Sequence, residues 1–136
     1  MEANKKQLQE KYIQLQLIEQ QMQQVQKQLR LMESQIQELN ITEQALEDIK
    51  TTKTGSEILV PMASGIFIKA EIKDNQGLAV NVGADTIVEK SVEETKLLVA
   101  NQLEEIVGMH QTLTANLQKL AGSAQMLEKE LSKLIK

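Results

Sequence analysis

Apolar residues along this chain recur at intervals of three and four. Leu8, Leu15, Met22, Leu29 and Ile36 are seven apart, and Ile18, Val25, Met32, Leu39 and Leu46 form a second series three residues behind the first. Alternating steps of three and four place both series on one stripe of a helix, the a/d seam of a coiled coil. The stripe is broken at Lys11 and Glu43.

The C-terminal part repeats the pattern more strictly. Val92, Val99, Ile106, Leu113, Leu120, Leu127 and Leu134 keep heptad spacing, with Leu103, Leu117, Ala124 and Leu131 as the second series and Lys96 and His110 as its breaks. Neither part contains proline. A seam this narrow needs a partner to bury it, and each predicted helix has the other to hand. The two are matched in length at about 60–65 Å, and the pattern predicts that they fold back antiparallel on one another.

Between them the period changes from 3.6 to 2. Ile58-Leu59-Val60 is a short apolar run closed by Pro61, which cannot donate to a ladder, so a strand there ends or lies at an edge. Ile66, Ile68, Ala70 and Ile72 then alternate with Phe67, Lys69, Glu71 and Lys73. Asp74-Asn75-Gln76-Gly77 signals a turn. Leu78, Val80 and Val82 alternate again, and after Gly83-Ala84-Asp85 the run Thr86-Ile87-Val88 predicts a fourth strand. The insert reads as two β-hairpins turning near residues 62–65 and 83–85. Gly55 stands past the first helix, and Ser91-Val92-Glu93-Glu94 reads as a capping box opening the second.

The chain therefore divides into a coiled-coil helix over 1–54, a β-hairpin region over 55–90 and a second coiled-coil helix over 91–136, one unit across 1–136. The fold class is mostly α with a small β insert: an antiparallel coiled-coil hairpin of two long helices. Short strands carry little core of their own, and their open edges call for covering. The expectation is that strands from several chains complete a shared barrel, with Ile58, Val60, Ile66, Ile68, Ile72, Leu78, Val80, Val82 and Ile87 as the assembly residues.

Composition narrows the function. Tyr12 and Phe67 are the only aromatics and there is no cysteine, so a thick aromatic core, a disulfide framework and a thiolate site are all excluded. The net charge of −4 comes without a basic block, which argues against nucleic acid and against an RNA-binding arm of a larger enzyme. No apolar run reaches the roughly 18 residues of a membrane span, and the N-terminus lacks the apolar core of a signal peptide. A cytoplasmic protein without a membrane partner is expected.

Helical legs flanking "LVP" at 59–61, "IFIKAEI" at 66–72, "VNVGADTIVEKS" at 80–91 and "VEET" at 92–95 resemble the prefoldin family, in its archaeal-type, two-hairpin α class. The family's glycine and aromatic after "VG" are replaced here by Ala84-Asp85-Thr86-Ile87. The resemblance implies a hexamer of two α-type and four β-type subunits whose strands form a double β-barrel. It implies an ATP-independent chaperone that holds unfolded client proteins between coiled-coil tips and passes them to a group II chaperonin. On that reading the client-binding residues are Leu8, Tyr12, Ile13, Leu15, Leu17, Met126, Leu127, Leu131, Leu134 and Ile135, near the free ends.

No enzyme is expected and no cofactor or metal is implied. His110, the sole histidine, falls on the seam, where an occasional polar residue fixes register. Asn40-Ile41-Thr42 matches a glycosylation sequon but lies within a predicted helix. The carboxylates lie on solvated helix faces, with nothing to desolvate a pair. A structural coiled-coil protein building filaments or scaffolds through the same β joint is the competing reading.

Overall fold

In the computed structural model, which describes residues 2–135, the element order is α1 (Glu2–Thr51), β1 (Glu57–Ala63), β2 (Ile66–Glu71), β3 (Gly77–Asn81), β4 (Ile87–Ser91) and α2 (Val92–Ile135). Two units are distinguished, one taking in the chain up to Ile36 and from Glu105 onward, the other Gln37–Glu104.

In the first unit, Lys11 is ion-paired with Glu130, and Glu33 meets His110. Partner numbers fall along α2 as they rise along α1, so the helices run antiparallel. Leu29, Ala124 and Leu131 are buried, while Leu8, Leu15, Ile18, Met22, Val25, Met32 and Ile36 are half-buried. A two-helix seam has solvent on both flanks, which is why no described side chain is completely enclosed. Each buried Leu still contributes about 1.5–3 kcal/mol, repeated along the stripe. Neither helix contains proline, and Gly108 and Gly122 are the glycines of α2.

In the second unit Leu46 of α1 and Val92, Thr95 and Val99 of α2 are buried, and the pairs Glu47–Lys96 and Lys50–Glu93 again run antiparallel. The α1 end is closed by the Thr51 and Thr52 hydroxyls, which both donate to the Asp48 carbonyl, at 3.1 and 2.6 Å. At the start of α2, the Glu94 amide donates to Ser91 Oγ at 3.1 Å and the Ser91 hydroxyl to Glu94 Oε1 at 3.2 Å. This is the capping pair predicted from sequence, with the glutamate returning to the serine hydroxyl.

The four strands form two separate antiparallel pairs, β1 with β2 and β3 with β4. Gly55, at φ +88°, donates its amide to the Ile72 carbonyl at 2.7 Å, and the Ile72 amide donates to Ser56 at 3.0 Å. Two residues opposing one, with glycine first and left-handed, make a G1-type bulge. The segment between the hairpins is anchored at both helix ends: Asn75 Nδ2 donates to the Thr52 carbonyl and the Val92 amide to Gln76. Ile72 is buried there. The Gln76 amide bonds Asp74 Oδ1 at 2.9 Å, the Asx turn that "DNQG" announces.

Pro61 takes the edge position that the sequence allowed: it pairs with Phe67, and the register slips between Pro61 and Ala63 before the chain turns at Ser64-Gly65. The strands depart from the sequence reading at two places. Val82 lies beyond the end of β3, its amide bonded to the Thr86 carbonyl, and Thr86 precedes β4. Ile72 lies past the end of β2, in the bulge.

Candidate binding surfaces on the hairpins and at the helix ends

Register sorts the hairpin side chains onto faces. Ile58 faces Ala70 and Val60 faces Ile68 on one side of β1–β2; Leu59 faces Lys69 and Pro61 faces Phe67 on the other. In β3–β4, Leu78 faces Lys90, Val80 faces Val88 and Asn81 faces Ile87. A strand with one face on a core should be apolar on that face alone. The turn half of β1–β2 is instead apolar on both faces. Leu59, Met62, Ile66, Phe67 and Ile68 are all exposed, Leu59 at 61% and Phe67 at 56%.

Of the residues assigned to assembly from sequence, Val60, Ile66, Ile68, Val82 and Ile87 are exposed, and Ile58, Leu78 and Val80 are half-buried. Ile72 is turned inward. Sequence reading passed over Leu59, Met62 and Phe67. Their signal was there: a run apolar at consecutive positions, where alternation would leave one face polar.

In the first unit, antiparallel pairing sets the start of α1 beside the end of α2. Leu8, Tyr12, Ile13, Leu15, Leu131 and Ile135 together line an apolar groove of about 560 Å³. Within it Tyr12, Ile13 and Ile135 are exposed, Leu8 and Leu15 half-buried and Leu131 buried. Leu17 and Met126 are exposed outside the groove, and Leu127 and Leu134 are half-buried on the seam. Further along, Leu31 and Met109 are exposed beside a second groove that Met32 and Leu113 also line; both lie off the heptad series.

Electrostatics add little local chemistry. In the exposed Lys50–Glu93 pair, 2.7 Å apart, the Lys50 hydrogen bond and charge hold the Glu93 carboxyl below its usual value, and Glu93 raises Lys50 in return. Among the described residues no group of three His, Cys, Asp or Glu side chains is placed to hold a metal ion, and no helix is long and apolar enough to cross a membrane.

What these surfaces have in common is apolar side chain without reactive group, carried on paired helices and paired strands. The family model described as "Prefoldin subunit" matches residues 18–136. The chain belongs to the prefoldin family. Its similarity to prefoldin alpha subunits is spread over archaea: it is 33% identical to that of Methanococcus vannielii over 90 residues, which are 66% of this chain and 62% of that protein. It is 27% identical to the alpha subunit of Archaeoglobus fulgidus over 130 residues, 96% of this chain and 95% of that one. Among solved structures, filamentous PFD from Methanocaldococcus jannaschii, determined by cryo-electron microscopy, superimposes with a TM-score of 0.74 at 18% identity, over 85% of this chain and 95% of that chain. That likeness is one of fold: two long helices and two small hairpins in a prefoldin arrangement.

Proposed function

We propose that this chain is the α-type subunit of an ATP-independent chaperone that captures non-native proteins at its helix ends and delivers them to a group II chaperonin. Two copies join four β-type subunits through the hairpins, in the cytoplasm. The observation that carries this reading is the groove formed by Leu8, Tyr12, Ile13, Leu15, Leu131 and Ile135. It is apolar, open and made of side chains that adapt to varied partners, as promiscuous recognition needs. The hairpins supply the complementary property, exposed apolar strands with free edges.

The test is to mix the chain with its β-type subunit, measure the assembly mass and follow aggregation of a denatured model protein. The closed assembly should slow aggregation. Removing residues 1–15 and 125–136 should leave its mass reduced only by the deleted residues and abolish the protection. Retained protection after truncation would place client binding elsewhere.

A second reading is favoured by the description of the Methanocaldococcus jannaschii assembly as filamentous: the same hairpins would add subunits end to end. Particle mass rising continuously with protein concentration would support it, whereas a mass that stops at six chains supports the first.

A further inference from the structure

Lys5, Tyr12 and Glu19 stand one heptad apart on α1, and all three are exposed. Seven residues fall about 20° short of two full helical turns, so the three side chains share one face. Lys5 and Glu19 each lie about 10.5 Å from Tyr12 along the axis. Tyr12 lines the apolar groove together with Leu8, Leu131 and Ile135. Gln9 and Gln16, the other outward positions between the two charges, are uncharged. The face thus carries a cation at one end, an aromatic ring at its centre and an anion at the other end. Lys11 and Glu130 nearby satisfy each other, whereas neither Lys5 nor Glu19 is ion-paired with a described residue.

Opposite charges at equal distances on either side of an apolar centre make a face its own complement once it is turned end for end, as a two-fold contact requires. Resting on the reading that this groove holds clients, we propose that in their absence it takes the same groove of a second copy of this chain. The two copies lie antiparallel and centred on Tyr12, with Lys5 of each opposite Glu19 of the other. Tyr12 meets its counterpart at the two-fold, Leu8 comes level with Gln16 of the other copy, and Gln9 with Leu15. Other registers lose this match. A parallel pairing would set lysine against lysine and glutamate against glutamate. An antiparallel pairing slipped by one heptad would set Tyr12 against Lys5 or Glu19 and leave no pair of opposite charges. The contact covers the groove until an unfolded polypeptide displaces the second copy.

The chain has no cysteine, so thiols can be placed at the two ends of the face in the full-length protein while the groove itself is left intact. Lys5→Cys and Glu19→Cys are prepared separately, one carrying a mass tag, and mixed under mild oxidation. Residues 5 and 19 of opposite copies are then level on packed helices, within disulfide reach, while identical positions are about 21 Å apart along the axis. The mixed disulfide should therefore exceed either homodimer by about ten-fold, since identical positions are beyond reach. Adding Glu19→Lys to the Lys5→Cys chain should abolish it, because the far end of the contact then sets lysine against lysine. Adding Lys5→Glu to the Glu19→Cys chain as well should restore it. An excess of a reduced, alkylated model protein should lower the yield several-fold. Equal yields of mixed and like disulfides would overturn the register, as would an exchange that fails to restore cross-linking. A yield that the unfolded protein leaves unchanged would overturn the sheltering of the groove. The outcomes separate from those for chaperone activity. An assembly with β-type subunits that loses protection on truncation, from a chain that gives no mixed disulfide, refutes this pairing alone. A mixed disulfide from a chain whose truncation retains protection refutes the client-binding reading and leaves the pairing in place.

Discussion

Glu33 Oε1 lies 3.2 Å from His110 Nε2, reaching from α1 across to the one histidine on the α2 seam. The two lysine breaks in the seams are met the same way: Lys11 pairs with Glu130 and Lys96 with Glu47. Each basic residue that interrupts a heptad series has a glutamate of the facing helix within reach, and each is less exposed than its partner. Such pairs oppose sliding, because a slip of one heptad would replace each glutamate by an uncharged residue: Ser123 for Lys11, Gln26 or Asn40 for His110, and Asn40 or Thr54 for Lys96.

Replacing His110 by Leu tests that view. The substitution removes one of the two breaks in its apolar series and should stabilise the helices by about 1–2 kcal/mol, seen as a higher urea midpoint. Glu33→Gln should change stability by less than about 1 kcal/mol, because the carboxylate is largely solvated. If the pairs set alignment, spin labels on the two helices should show a broader distance distribution in His110→Leu than in the parent.

Lys50 and Glu93 predict an acid-range dependence with a definite sign. The Lys50 hydrogen bond and charge hold the Glu93 carboxyl below its usual 4.5, so the contribution is fully present above 4.5 and is lost as pH falls through the lowered value. Glu93 raises Lys50 above its usual 10.5, so on the alkaline side the contribution persists to 10.5 and is lost as pH rises beyond the raised value. Urea midpoints of the parent and Glu93→Gln should therefore differ at neutral pH and converge in strong acid. High salt should shrink the neutral difference, since both groups are exposed. A gap that persists in strong acid would mean that Glu93 acts through something other than its charge.

Leu29 and Leu31 stand two positions apart on α1 and should respond very differently to truncation. Leu29 is 8% exposed on the seam and Leu31 is 60% exposed off it. Leu29→Ala should cost about 2–4 kcal/mol, whereas Leu31→Ala should stay within about 0.5 kcal/mol in the free chain. Chemical denaturation read by helical circular dichroism checks both.

Much of this architecture is legible in residue spacing because a heptad seam is a long signal. From Leu8 to Leu46 every second-to-fourth apolar position that the count selects is half-buried or buried. The hairpins were legible in number but not in their ends. Pro61, which has no N–H to donate, allowed either a stop or an edge strand, and only the pairing with Phe67 decides for the edge. Ile72 continues an alternating run, yet the bulge at Gly55-Ser56 draws it inward. The groove at the helix ends was foreseeable from Tyr12, Ile13 and Ile135 lying off the stripe. Leu17 and Met126 share that property and lie outside it, because a residue's place around the helix decides which groove it joins.

The β3–β4 turn carries backbone strain that a single substitution should relieve. Gly83, Ala84 and Asp85 have φ of +117°, +51° and +56°. Glycine takes the first position freely, but Ala and Asp in the left-handed region cost about 1–2 kcal/mol each, Asp somewhat less because it tolerates that conformation. The turn is held by the Gly83 amide on Asn81 Oδ1 and by the Thr86 amide on the Gly83 carbonyl, neither of which needs the Ala84 methyl. Ala84→Gly should therefore remove the steric cost while adding chain entropy to the unfolded state, for a net gain of up to about 1 kcal/mol. Gly83→Ala should lose at least as much. Although its Cβ would meet nothing within 4 Å, its conformation alone penalises a side chain. Amide exchange at Val82 and Val88 reports this turn directly, and should slow in Ala84→Gly and quicken in Gly83→Ala. Equal protection in both variants would mean that the turn relaxes at no cost, and that the departure from glycine at position 84 is conformationally neutral.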